Sequence, residues 1–544
     1  MSYERLRGLY LGLTSNADLT TDHERHVLHV PTKLDELVPR WLAEGKDVTL
    51  TGNPGDGKSH LARRLVGKKL TGAAEVILDL SATPTPTVLG RWGAAVAEGR
   101  PTLLCANEGP LKALLPELRA AGGALARRGL SLAAQLNRLT VSRPEELAAR
   151  PEELLLVDLA DRDLLDANLI RRALQHLCLP EHLPPHARAD ELSSGRNLRL
   201  FMESDVARDR LARLLVAAGA RLRRHVTFRQ LWGALAYTIT AGKPMSALTA
   251  ELRGGEALGS LPLDHLTSGD GQLELLDAAR RWADPATVAA PALDEALWLD
   301  GRPPRADGDW LTDRTSFDAK SPARLWAAGH HAEALRRMAS LKRIVALAHE
   351  AGEALISAVV EGDQSVPSRF NDEALLQRAL TGLRRLFVSP RDEVGAPAWL
   401  VTGLPLWCGH SYQDEPAEER PHVAVAALAA DALRVLRPVQ APWLGEALGR
   451  RPEVAWLEHA PSRVTLRLDA QLLDVLGRAA DSDGPMPVPE PVQRFLARLS
   501  GWEEAQPRAA ESPFVVIERP RGALMSDGLV LDATTSEARY AARR

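Results

Sequence analysis

Gly52-Asn53-Pro54-Gly55-Asp56-Gly57-Lys58-Ser59, with His60 behind it, is the stretch on which the reading of this chain turns. It satisfies the pattern G-x-x-x-x-G-K-S/T, a loop built to hold phosphate. Its glycines let the backbone curl so that successive N–H groups face phosphate oxygens, and a helix starting at Lys58 adds partial positive charge at the same point. Lys58 is placed to pair with the β- and γ-phosphates of a nucleotide, and the Ser59 hydroxyl to ligate Mg2+. Gly52 to His60 is therefore the expected nucleotide cradle. The competing reading is a glycine-rich surface turn. Only nine of the 67 basic residues are lysines, so chance seldom puts a lysine in this slot.

The flanks agree with the loop. An apolar run, Asp47 to Thr51, leads in as a strand, and an amphipathic pattern from Lys58 to Leu70 leads out as a helix. Further apolar runs at Glu75 to Leu80, Thr102 to Ala106 and Glu153 to Val157 alternate with helical stretches, the signature of a parallel sheet flanked by helices. The expected fold is an α/β P-loop NTPase core over residues 45–180, after an N-terminal segment at 1–44. A helical lid follows at 181–245, then a helical region at 246–480. Residues 481–544 read as a helix, short strands and a tail with Ala533 to Arg544 loose; near the C-terminus Val464 to Leu468 and Phe514 to Ile517 read as strands. Ala, Leu and Arg dominate while aromatics are 4%, which favours helix over sheet. There is no internal repeat.

Hydrolysis needs an acidic element besides the loop. In the additional-strand class of P-loop ATPases, a strand about fifty residues after the lysine ends in Asp-Glu, which holds Mg2+ through water and activates the attacking water. Here that strand ends in Asn107-Glu108. Glu108 can act as general base, whereas neutral Asn107 holds the metal's water shell more weakly. The spacing fits a five-strand AAA+ core with Asp79 closing the second strand, Asn107-Glu108 the third and Asp158 the fourth. Asp79 reads as a strand-end carboxylate capping the next turn. Asp158 is either a sensor beside the γ-phosphate or a metal partner, or else a structural cap, with Asp161 and Arg162 able to pair locally.

Thr227 with Gln230 forms a capping box that opens a helix, putting Arg229 in its first turn, where it is either a sensor arginine reaching for the γ-phosphate or a solvated charge beside Arg221, Arg223 and Arg224. Arg171 and Arg172 occupy the region of an arginine finger given to a neighbouring subunit, or are helix-surface charges. Arg221, Arg223 and Arg224 make the best local patch for a DNA backbone, although without interleaved aromatics. His23, His26 and His29 recur every three residues, but with no completing ligands they read as solvated. A guanine-specific Asn/Thr-Lys-x-Asp element is missing downstream of the loop, so ATP is the expected nucleotide.

Composition bounds the rest. Across 544 residues, 67 basic and 71 acidic side chains leave a charge of −4, so no global field points to nucleic acid or membrane. Cys105, Cys178 and Cys408 are too few for a disulfide framework, and no run has the length of a signal peptide or membrane span. The expected location is cytoplasmic.

Taken together, Gly52 to His60, Ala106-Asn107-Glu108-Gly109-Pro110-Leu111 and Asp158-Leu159-Ala160-Asp161-Arg162 resemble ATPases of bacterial restriction and phage-defence islands, most nearly the DptF-type proteins of DNA phosphorothioation-dependent restriction. Thr227-Phe228-Arg229 and Val464 to Asp469 are similar in placement to that family. The resemblance covers about residues 45 to 240. It implies an ATP-driven motor or switch, using ATP and Mg2+, that works with sibling proteins of a defence operon on DNA while nuclease chemistry resides elsewhere. A homo-oligomer is one arrangement open to it. The alternative is a nucleotide-gated signalling or scaffold protein that hydrolyses slowly or not at all. A small-molecule kinase fits less well, because the second half shows no acceptor site.

Overall fold

The four apolar runs of the first third form one parallel sheet: β1 (Asp47–Thr51), β2 (Glu75–Ile77), β3 (Thr102–Cys105) and β4 (Leu154–Asp158). The order across the sheet is β2-β3-β1-β4. Leu50 pairs with Cys105 on one side and Val157 on the other, and Thr51 lies opposite Asp158. The computed structural model of the chain describes residues 2–386 except 13–20, 139–150, 163, 223–224, 255–260, 302–320, 362–366 and 368–369, and beyond them the helices and strands given below with adjoining turns. Among the described residues the sheet has four strands, not the five expected.

Strand alternation divides the side chains between two faces. Val48, Leu50, Leu103, Leu155 and Val157 pack with α3 (Leu34–Ala43) and α4 (Lys58–Gly67), helices that follow α1 (Tyr3–Tyr10) and α2 (Asp22–Val27). Leu104, Leu154 and Leu156 face the other way, against α5 (Thr85–Ala97), α6 (Glu108–Ala120) and α7 (Gly123–Arg138) through Val88, Trp92, Leu111, Leu114 and Leu132. Both faces are covered, which is why all of β1 is buried. Asp47 pins the far end of the sheet. Its buried carboxylate accepts from the Thr102 N–H at 2.7 Å and Trp92 Nε1 at 3.0 Å, and pairs with Arg128.

After β4 come α8 (Ala167–Leu177), α9 (Ser193–Glu203), α10 (Asp205–Gly219) and α11 (Phe228–Thr240). They share a single apolar core with α1 and with later helices as far as Ile356. The boundary expected at residue 245 is thus not a boundary of packing: Leu231 and Ile239 before it touch the same core as Leu263 and Ile344 after it. The chain divides elsewhere, into residues 1–363 with 439–452 and residues 364–438 with 453–544.

The second unit has its own core, where the helices Asp372–Arg385, Ala470–Asp481 and Glu490–Glu504 pack on an antiparallel sheet of Leu433–Leu436, Ala455–His459 and Val464–Leu468. Leu404–Trp407, His422–Leu428, Val515–Ile517 and Leu524–Met525 form another sheet. The stretch 246–480, expected to be a helical region, is therefore not helical throughout. His-Val-Ala-Val-Ala-Ala-Leu at 422–428 has the composition of a helix, and cross-strand pairing overrides its propensity. The tail, expected to be loose, contributes a strand at Ala538–Tyr540. Much of the glycine- and proline-rich loop at 301–308, and Phe514, lie outside the described residues. No helix among the described residues is long and apolar enough to cross a membrane.

Candidate functional site

The glycine-rich loop leaves β1 and enters α4 with its three glycines at positive φ: 133° at Gly52, 99° at Gly55 and 89° at Gly57. Side chains are excluded by space as well as by conformation. A Cβ on Gly52 would stand 2.7 Å from Asp56 Oδ2, and one on Gly55 2.9 Å from the Arg229 Cβ. Asp56, expected in the nucleotide cradle, turns its fully buried carboxylate inward. Oδ2 accepts the Asn53 N–H at 2.6 Å, Oδ1 lies 2.7 Å from His225 Nε2, and its backbone carbonyl accepts from Arg162. It braces the loop from inside.

Lys58 Nζ donates back to the carbonyls of Gly52 and Asn53 at 2.9 and 2.8 Å, holding the loop closed around its ammonium. Burial lowers the Lys58 pKa, opposed by the charges of Asp56, Asp158 and Asp79. The Ser59 hydroxyl donates to the Leu78 carbonyl at 3.0 Å, which places it at the end of β2 beside Asp79. Asp79 accepts the Ser81 N–H at 2.8 Å, the capping bond its sequence position suggested. It also lines the same cavity as Lys58 and Ser59.

Asn107 is the N-cap of α6, yet its side chain makes no capping bond. It stands between two cavities, one of 290 Å³ holding Lys58, Ser59 and Asp79, the other of 250 Å³ lined by Gly52, Asn53, Pro54, Glu108 and Asp158. Glu108 opens α6, is 55% exposed at its side chain and pairs with Lys112 at 2.5 Å. Asp158 accepts the Ala160 N–H at 2.9 Å and so caps the turn after β4. Burial pushes its carboxyl up to about 6, helped by the charges of Asp161, Asp56 and Glu108.

Two arginines line the larger cavity. Arg229 begins α11 behind the capping box of Thr227 and Gln230, and its N–H donates to the Gly55 carbonyl at 3.3 Å, so α11 sits directly on the loop. Arg162, which sequence reasoning considered only as a partner for Asp161, is buried with its guanidinium 4.6 Å from the Phe228 ring centre. Burial brings its pKa down to about 10. The available signal was its place just past β4, at the end of the sheet where ligands gather.

The remaining expected residues lie elsewhere. Arg171 bonds Asn168 and lies 3.7 Å from Asp209, while Arg172 donates to the Pro31 carbonyl at 3.0 Å; neither lines the cavities described. Arg221 stacks 4.1 Å over Trp282, and Arg223 and Arg224 lie outside the described residues. His23 and His26 are exposed, but His29 is not solvated, contrary to expectation: it is buried against His60 of α4, ring centres 5.4 Å apart. No group of three or more His, Cys, Asp or Glu side chains that could hold a metal occurs among the described residues.

The chain matches no protein-family model, no curated protein and no solved structure.

Proposed function

We propose that this chain is a P-loop ATPase of the additional-strand type, acting as motor or switch in a bacterial DNA restriction or anti-phage system. One observation carries the ATPase part: the loop Gly52–Gly57 opens between a buried parallel strand and a helix N-terminus, with Lys58, Ser59 and Asp79 around a cavity of 290 Å³. A nucleotide triphosphate fits this donor set. The three positive-φ glycines keep the loop free of side chains, and Lys58 can exchange its two carbonyl bonds for phosphate oxygens.

The strand order bears on the acidic roles. The additional-strand class is named for a strand standing between the P-loop strand and the one carrying the metal-binding acid. Here β3 pairs directly with β1, and β2 lies beyond β3. By this reading β3 is the intervening strand, so the metal-water role moves from Asn107 to Asp79, next to Ser59. Asn107 then takes the place beside the γ-phosphate expected of Asp158, and Asp158 falls on the far side of β1. Mg2+ held with the nucleotide supplies charge neutralisation at the β- and γ-phosphates. Glu108 orients and deprotonates the attacking water, while Arg229 and Arg162 offer positive charge from α11 and from the end of β4.

The role in restriction rests on the motif resemblance around residues 45 to 240, with sibling operon proteins and the DNA backbone as partners. A nucleotide-gated switch with slow turnover is the second reading. It is favoured by the Lys112 ion pair, which occupies Glu108. Calorimetry tests the core of the proposal: Lys58→Ala should abolish ATP binding with the fold intact, and equal affinity in variant and parent would end the P-loop reading. Turnover of the parent chain then separates enzyme from switch.

A further inference from the structure

Between Gly52 and Gly57 only one residue of the glycine-rich loop is buried, and it is the charged one: Asp56 is fully enclosed, while Asn53 and Pro54 are exposed. Asp56 is the side chain by which the loop grips the rest of the protein. What it grips is the segment leading into α11. His225 Nε2 lies 2.7 Å from Asp56 Oδ1, the Arg229 N–H donates to the Gly55 carbonyl, and a Cβ on Gly57 would stand 3.3 Å from the Phe228 ring. α11 in turn is set in the helical core by Leu231, Leu235 and Ile239. The loop is thus tied at three consecutive residues to a helix that the core holds in place.

The position of Asp56 matters to Lys58, two residues on. Both side chains are buried; burial lowers the Lys58 pKa, and of the charges that oppose it Asp56 counts most. Opposite charges this near in sequence and shielded from water attract. Their bonds nevertheless point elsewhere. Lys58 donates to the carbonyls of Gly52 and Asn53, while Asp56 accepts the Asn53 N–H at 2.6 Å with one oxygen and meets His225 with the other. Whichever of the two facing atoms carries the hydrogen, that bond commits Asp56 Oδ1 to His225. When Lys58 exchanges its carbonyls for phosphate oxygens, the bonds of Asp56 are left to fix the shape of the loop. A buried carboxylate deprived of one partner turns to the nearest cation.

We propose that His225 is a positioning residue for phosphate binding: by holding Asp56 it keeps that carboxylate off Lys58 and leaves the ammonium to the β- and γ-phosphates. Affinity for the phosphates is then set from outside the loop, by the segment ahead of α11. The inference rests on the nucleotide reading above.

The test is calorimetry with ATP on the full chain and its variants, each first shown by urea denaturation to be folded. His225→Ala should weaken ATP binding by about tenfold, the scale of a buried acceptor left without its partner. His225→Gln, whose amide can still bond Asp56, should stay within about threefold of the parent. Adding Asp56→Asn to His225→Ala removes the charge that competes for Lys58 and keeps an oxygen for the Asn53 N–H. The double variant should therefore bind at least about threefold more tightly than His225→Ala, a recovery that a merely loosened loop would not show. Should His225→Ala fail to fold, His225→Leu, which fills the space without the bond, takes its place in both comparisons. Parent-like affinity in the variant lacking the bond, a double variant no tighter than it, or His225→Gln as weak as it overturns the inference. Failure of the parent to bind ATP overturns the P-loop reading instead.

Discussion

If the chain works as the proposed ATPase, the difference between the Asp79 carboxylate and the Asn107 amide decides which of them serves Mg2+. A carboxylate beside the Ser59 hydroxyl holds the water shell of Mg2+ more strongly than an amide does. Asp79→Asn should therefore raise the Mg2+ concentration needed for half-maximal ATPase activity, while Asn107→Ala should lower turnover at unchanged Mg2+ demand; the reverse pattern in a Mg2+ titration would return the metal to Asn107. Asp158 gives a second prediction, in stability. Its carboxyl is raised to about 6, so the folded state binds more protons than the unfolded one, whose carboxyl titrates near 4. The stabilisation is complete below about pH 4 and disappears as pH rises through about 6. The unfolding free energy of the parent, relative to Asp158→Asn, should fall by up to about 3 kcal/mol across that window. Asn keeps the bond from the Ala160 N–H, so parallel curves for the two proteins in urea would show that Asp158 is not perturbed.

Between the glycine-rich loop and α11 the contact is nearly atomic, so the loop and the helix respond together. Gly55 sits at φ 99° and its missing Cβ would meet Arg229, whereas Gly67, at the end of α4, has nothing within 4 Å and no positive φ. Gly55→Ala should destabilise by at least about 1 kcal/mol and weaken ATP binding, because strain and collision push α11 off the loop. Gly67→Ala should be neutral or stabilising by up to about 1 kcal/mol. Urea denaturation of both variants checks this, and equal stabilities would mean that the loop relaxes without cost. The same elements show what a sequence reveals. The strands β1 to β4, the loop and the capping box of α11 carry local signals, from periodicity, glycine spacing and a Thr-x-x-Gln pair. The order of strands carries none, since a crossover helix can bring β4 to either side of β1. Burial of His29 on His60, and of Arg162 on Phe228, depends on partners 31 and 66 residues away, a separation no local pattern encodes. In the second unit, the alanine-rich strand His422–Leu428 hid from propensity because pairing, not composition, makes it a strand.

At the scale of the molecule, a charge of −4 provides no long-range attraction to DNA, so contact with a DNA backbone has to come from local arginines and should be sensitive to salt. Assembly is more sharply tested. A finger in trans requires an arginine whose guanidinium can leave its own chain. Arg171 is engaged by Asn168 and Asp209, and Arg172 by the Pro31 carbonyl, so either would give up these bonds on reaching across. Meanwhile the larger cavity already holds Arg162 and Arg229, two cations of the same chain and the same unit as Lys58. Hydrolysis built from these needs no second copy. Turnover per chain should stay constant as protein concentration rises by about a hundredfold, and Arg171→Ala and Arg172→Ala should keep activity within about twofold of the parent. Arg162→Ala should lower turnover by about a hundredfold or more, the scale on which charge placed at a phosphoryl group acts. Arg162→Lys keeps the charge but loses the planar stack on Phe228, and should recover only part of it. A per-chain rate that climbs with concentration, together with loss of activity in Arg171→Ala or Arg172→Ala, would give the finger back to α8 and make the homo-oligomer the working enzyme.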